Sequence, residues 1–242
     1  ASMVLTYPIA LAPGAAMEVA IAIPQHEESR LAVAPGANTA KSMETLSKRA
    51  REWWTKELNI ASLDLPASAD RLVNTFKTTQ AYILVNRDGP SIQPGSRCYE
   101  RSWIRDGSMT SAALLATGHT EKVKQFIEWY APYQYESGKV PCVVDRRGPD
   151  PVPEHDSHGQ LIYAILNYYK FTGDTAFLEQ MLPRVEKAVD YIKYLRDQRM
   201  TPEYRDGPPE QRAKYGLVPE SISHEGYSAK PMHSYWDSFF VL

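Results

Sequence analysis

Between residues 3 and 34 the side chains alternate in the manner of a strand. Met17, Val19, Ile21 and Ile23 interleave with Glu18, Ala20 and Ala22, a period of two. Tyr7, Ile9 and Leu11 have the same spacing, and Ala12-Pro13-Gly14 between the two runs reads as a turn. The segment therefore predicts a β-hairpin, which is too short to be stable alone and belongs on a larger body or to the remnant of a β-sandwich domain.

Beyond Gly36 the period changes to that of helices. Met43, Leu46, Ala50, Trp53, Trp54 and Leu58 form one stripe, which predicts a helix with both tryptophans in a core. A second helix is predicted from about Ser68 to Asn86, with Leu72, Phe76 and Ile83 inward. A third is capped by Asp106, carries Met109, Ala112, Ala113 and Leu115, and stops at Gly118. Thr120 caps a fourth, with Val123, Phe126, Ile127 and Tyr130. Asp156 or Ser157 caps a fifth that ends at Gly173. Thr175 caps a sixth that runs past Leu195, with Pro183 expected to kink it or to split off its first turn. Ser234 opens a seventh at Tyr235-Trp236.

Thr117-Gly118-His119-Thr120 recurs as Thr172-Gly173-Asp174-Thr175, 55 residues later. In both places a glycine suits the left-handed residue that ends a helix, and a short polar residue suits the start of the next. Helix pairs repeated at this period predict stacked αα-hairpins, as an open solenoid or a closed toroid. The chain thus divides into a β segment at 1–36, a linker helix at 37–67 and about three hairpins at 68–242. The turns at Gly118 and Gly173 are minimal, whereas the connections 87–104, 135–155 and 200–233 are long. Alternate turns of a hairpin stack emerge at the same end, so the three long loops share one end, and long loops in compact domains are usually functional.

Composition narrows the class. The 242 residues are 43% hydrophobic and 23% charged, ordinary globular usage that excludes a fibrous or disordered chain. A net charge of −2 gives no basic excess for nucleic acid or anionic lipid. No run of 18 apolar residues predicts a membrane span, and the N-terminal stretch lacks the basic start of a signal peptide. Cys98 and Cys142 form neither a disulfide framework nor a metal-binding CxxC pattern, and read as two reduced thiols.

The unusual residues lie in the long loops. The first ends Trp103-Ile104-Arg105-Asp106-Gly107, the second Glu154-His155-Asp156-Ser157-His158-Gly159. The third contains Gly216-Leu217-Val218-Pro219-Glu220, then His224, Glu225, Tyr227, Lys230, His233 and Trp236. Each loop leads into a helix N-terminus, where unpaired amides suit carboxylates and sugar hydroxyls. Bland readings stand beside these: Asp106 and Asp156 as helix caps, Arg105 as a salt-bridge partner, His224 and His233 as loop hydrogen-bonders. His155 and His158 lack the i, i+4 spacing of a zinc pair, so no metal and no cofactor is predicted.

The ordered set Trp-Ile-Arg-Asp-Gly, the His-Asp helix start and Gly-Leu-Val-Pro-Glu resembles the six-hairpin (α/α)6-barrel glycosidases, the glucoamylase-like enzymes above all, over about residues 40–242. The fold class this implies is mainly α, a partial (α/α)6 toroid of αα-hairpins preceded by a short β-hairpin remnant. The resemblance implies an inverting, exo-acting glycosidase that uses two carboxyl groups roughly 6.5–9.5 Å apart. By position it assigns the general acid to Glu220, with Glu225 as the alternate. It assigns sugar hydroxyls to Arg105 and Asp106, pocket lining to Glu154, His155 and Asp156, stacking faces to Trp103, Tyr227 and Trp236, and a further contact to Lys230. A complete toroid at this repeat needs roughly 330 residues, so the chain reads as about half a barrel, without the family's catalytic base and weakly active or inactive alone. A half barrel exposes apolar flanks that a second copy would cover as a homodimer. Two other functions fit the same pattern: a non-catalytic half barrel that binds carbohydrate or protein, and a sugar epimerase relying on paired histidines such as His155 and His224.

Overall fold

The computed structural model describes residues 4, 6–19, 21, 39–222 and 231–242. The chain divides into two compact units, residues 1–59 and 60–242.

In the first unit the expected turn is present. The Ala15 amide donates to the Ala12 carbonyl at 2.9 Å, and Gly14 takes φ +78°, a conformation that glycine adopts without strain. Among the described residues around this turn no strand ladder forms. Helix α1 (Thr39–Leu58) follows. Trp53 and Trp54 meet edge to face, ring centroids 4.7 Å apart. Trp53 is 46% exposed, which corrects the expectation that both tryptophans are core. Adjacent positions on a helix diverge by about 100°, so one stripe cannot bury both rings fully.

The second unit is a set of αα-hairpins. Helix α2 (Asp70–Val85) leads into a two-stranded ribbon, β1 (Arg87–Asp88) with β2 (Ser91–Ile92). After β3 (Ser102–Trp103), helix α3 (Ile104–Ala116) turns back at Gly118 into α4 (Thr120–Tyr130). Strands β4 (Val143–Asp145) and β5 (Gly148–Pro149) precede α5 (Asp156–Thr172), which turns at Gly173 into α6 (Thr175–Asp197). Two short helices, α7 (Pro202–Asp206) and α8 (Pro209–Arg212), occupy the third long loop, and α9 (Tyr235–Val241) ends the described chain.

Gly118 and Gly173 have φ +84° and +68°, the left-handed turns predicted from the repeat. Helix boundaries match the sequence pattern, but the caps differ. Asp106 sits in the first turn of α3, not at its cap, and the cap of α6 is Asp174, whose carboxylate accepts the Phe177 amide at 3.0 Å. Asp is among the best N-caps, and its short side chain reaches the amide three residues on. Pro183 is accommodated within an unbroken α6.

Two glycines set the helix spacing. A Cβ at Gly107 would collide with the Phe126 ring, so α3 and α4 touch backbone to ring. One at Gly159 would collide with the Phe240 carbonyl, so α5 and α9 are in near backbone contact. Helix α5 thus lies between α3 and α9, while α4 and α6 pack as the returning arms. The core between them holds Ile104, Leu114, Val123, Phe126, Ile127, Leu161 and Ile165, all essentially inaccessible. Each such side chain contributes about 1.5–3 kcal/mol through burial. Ile192, Leu195, Val218 and Val241 form a second cluster that ties α6 and the Gly216–Glu220 stretch to α9.

The long loops are stitched together in a way the sequence pattern did not suggest. β3, β4 and β5 form an antiparallel sheet with Ser102 opposite Val144 and Trp103 opposite Val143. The Ile104 amide continues this ladder by donating to the Cys142 carbonyl at 3.0 Å. The third loop joins through Ile222, whose amide donates to the Pro153 carbonyl at 3.0 Å. Cys142 is buried and Cys98 exposed, and they are not bonded to one another.

Candidate active site

The starts of α3, α5 and α9 come together through their side chains. Arg105 Nη1 lies 2.6 Å from Glu154 Oε2 and 3.8 Å from Asp156 Oδ2, joining α3 to α5. Arg105 Nε lies 3.8 Å from Asp106 Oδ2. Trp236 donates its indole N–H to Asp156 Oδ2 at 2.8 Å, joining α9 to α5. The Asp156 amide donates to Asp237 Oδ1 at 3.2 Å, and the Ser221 hydroxyl donates to Asp237 Oδ2. Asp237 and Ser221 are completely buried. Five of the sequence-predicted residues, Arg105, Asp106, Glu154, Asp156 and Trp236, are therefore neighbours in one site.

Charge is distributed unevenly there. Burial lowers the pKa of Arg105, but the attraction and hydrogen bond of Glu154, helped by Asp156 and Asp106, outweigh it and hold the guanidinium charged. Burial raises the pKa of Asp106, and Arg105 only partly offsets this. Asp106 keeps a side-chain exposure of 33% beside Arg105. A partly open carboxyl next to a fixed guanidinium can accept one hydroxyl while the guanidinium donates to another, the complementarity a sugar ring requires.

The two histidines of the second loop are buried and serve different ends. His158 Nδ1 accepts the Val140 amide at 3.1 Å, and its ring packs edge-on against Tyr191. Burial lowers its pKa to about 3, so the ring is a neutral structural acceptor. His155, its ring centroid 6.3 Å from that of His158, lies beside the Glu220 backbone, and burial lowers its pKa too.

Glu220 has an environment unlike that of a proton donor. Burial raises its pKa, but its own backbone amide, Arg199 at 2.6 Å, Lys214 at 3.1 Å and His233 at 3.1 Å together bring it down to about 2. A general acid needs the opposite, a carboxyl kept protonated near neutral pH. Trp103 packs with Tyr99, ring centroids 6.2 Å apart, and with Arg101. The Arg101 guanidinium lies 5.3 Å from its ring centroid, and Arg101 is itself paired with Asp145 at 2.8 Å and Asp150 at 2.9 Å. Glu225, Tyr227, Lys230 and His224 lie outside the described residues.

Sequence reasoning missed Asp237, Ser221, Arg199 and Lys214. Asp237 carried a signal: a lone acid in the apolar helix Tyr235-Trp236-Asp237-Ser238-Phe239-Phe240, which must find a buried partner. Arg199 and Lys214 carried none, because surface-like cations in a long loop have no periodicity.

The helical hairpins carry the match that defines a glycoside hydrolase-type domain. Residues 67–200, more than half of the chain, match the amylo-alpha-1,6-glucosidase family, and the chain belongs to that family. The matched span contains Trp103–Gly107 and Glu154–Gly159, whereas Gly216–Glu220 lies beyond it. The chain is also 29% identical over 106 residues to an uncharacterized glycosyl hydrolase of Methanocaldococcus jannaschii, a match covering 43% of this chain and 17% of that protein. The chain thus spans well under a third of that relative in the aligned region. No solved structure matches the chain.

Proposed function

We propose that the chain supplies the sugar-holding part of a glycoside hydrolase site, acting on a terminal unit of a carbohydrate chain with inversion. The observation that carries this reading is Arg105, locked to Glu154 at 2.6 Å beside the partly open Asp106, at the shared start of α3 and α5. Such a fork fixes two ring hydroxyls and so orients the glycosidic oxygen for protonation. The bond between Trp236 and Asp156 holds the start of α9 against that of α5.

Two candidates for the proton donor came from the sequence, Glu220 and Glu225. Glu220 is clamped by Arg199, Lys214 and His233, and in this reading it is an ionised strut that positions the loop. The donor role falls to Glu225, five residues on in the same loop.

Calorimetry with maltose and maltotetraose, alongside release of reducing ends, tests the proposal. Arg105→Ala and Asp106→Asn should each weaken binding by about tenfold or more, the worth of a charged hydrogen bond. Glu225→Gln should leave binding intact and remove any hydrolysis. Binding unchanged in both Arg105→Ala and Asp106→Asn would overturn the sugar-holding role. Hydrolysis lost in Glu220→Gln but kept in Glu225→Gln, with both folded, would return the donor role to Glu220.

A further inference from the structure

A second cleft, of about 350 Å³, lies between the β1–β2 ribbon, the β4–β5 hairpin and the end of α4. It shares no lining residue with the Arg105 group. Its lining includes Trp129 and Tyr133, whose ring centroids are 5.6 Å apart with their planes 68° to one another. They make an aromatic corner. The same cleft is lined by the polar residues Gln93, exposed Glu100, Asp145 and Arg146.

The polar edge is partly fixed in place. Asp145 is gripped by Arg101 at 2.8 Å and by Arg147 at 2.6 Å, which anchors the β4–β5 hairpin under the cleft. With Asp145 already matched by Arg101 and Arg147, the lining charges that remain are Asp88, Glu100 and Arg146, of mixed sign, which favours a neutral ligand over a polyanion. A purely apolar ligand would desolvate the Gln93 amide and the Glu100 carboxylate without replacing their hydrogen bonds to water. The ligand that suits this lining has an apolar C–H face and a rim of neutral hydroxyls, and the size falls within that of small-molecule sites.

We propose that this cleft is a second carbohydrate-binding site, taking one ring of a neutral oligosaccharide against Trp129 and Tyr133, with its hydroxyls on Gln93 and Glu100. It uses the carbohydrate reading of the chain only for the class of ligand, and it is independent of the Arg105 group for its contacts. Its role is to hold a distant part of the same polymer, which raises the local concentration of chain ends.

The test is calorimetric titration of the full chain with maltohexaose and, separately, with tri-galacturonate. In an Arg105→Ala background, maltohexaose binding should persist, and adding Glu100→Ala or Gln93→Ala should weaken it by about tenfold. Trp129 also packs against Phe126 and Tyr130, so the polar variants, which touch no core ring, carry the decision. Tri-galacturonate should bind no more tightly than maltohexaose. The inference fails if Arg105→Ala abolishes all saccharide binding, if Glu100→Ala and Gln93→Ala both leave it unchanged, or if the acidic sugar binds preferentially. Failure of the Arg105 reading has a different sign, since maltohexaose binding would then be the same with and without Arg105→Ala and would still respond to Glu100→Ala.

Discussion

The Arg105 guanidinium and the Glu154 carboxylate, 49 residues apart in sequence, meet at 2.6 Å with side-chain exposures of 18% and 10%. The pair bridges the first turn of one inner helix and the residue two before the next. Removing either partner alone takes from a mostly buried charge its nearest counter-ion. Glu154→Gln and Arg105→Met should each destabilise the fold by about 2–4 kcal/mol, read as a lower urea midpoint with an unchanged slope. The double variant should recover part of that loss, and strict additivity would mean that the two groups do not act as a pair.

Gly159→Ala places a methyl group where the Phe240 carbonyl now sits. Helix α9 must then move off α5, taking Trp236 and Asp237 with it. The expected cost is about 2–4 kcal/mol, and saccharide binding at the Arg105 group should fall in parallel. Gly148→Ala, where the position is open and only φ +99° opposes a side chain, should cost less and leave α9 in place. Equal losses in the two variants would contradict the close approach of α5 and α9.

Acid stability should depend on His158. Its pKa is depressed to about 3 by burial, and its Nδ1 is already occupied as an acceptor of the Val140 amide. The unfolded chain therefore binds the extra proton first, so stability rises with pH and is lost as pH falls from about 6.5 toward 3, at up to about 1.4 kcal/mol per pH unit. Glu220, with its folded pKa near 2, adds a second loss that begins only below about 4.5. His158→Asn should flatten the urea midpoint between pH 5 and 6.5. An unaltered slope in that window would assign the effect elsewhere.

Thiol chemistry should separate the two cysteines. Cys98 is exposed, whereas Cys142 is buried and its pKa is raised to about 12, chiefly by burial and then by Glu154, Asp150 and Asp156. A thiol held protonated is a poor nucleophile. One equivalent of an aromatic disulfide reagent should react with the native chain and a second only in denaturant. Two fast equivalents in the native protein would show that the loop around Cys142 opens readily.

The helical hairpins were legible because their signals are local. Gly118 and Gly173 announce the turns, and the apolar stripes between them give helix ends to within about three residues, α3 starting at Ile104 and not after Asp106. The sheet that binds the loops was not, since two-residue strands such as Ser102–Trp103 are too short to show a period. At the site, Arg105, Asp106, Glu154 and Asp156 stand out as charges at helix starts. The bond from Trp236 to Asp156 crosses 80 residues and belongs to tertiary packing alone.

Because the start of α9, downstream of α3 and α5, carries the Trp236 and Asp237 contacts to Asp156, these contacts have an order of formation built into them. A nascent chain emerges with its N-terminal hairpins first and can form the Arg105–Glu154 pair while α9 is still inside the ribosome. The start of α3 and α5 lacks the Trp236 contact until α9 has emerged, so saccharide should not template the early folding of α3 through α6.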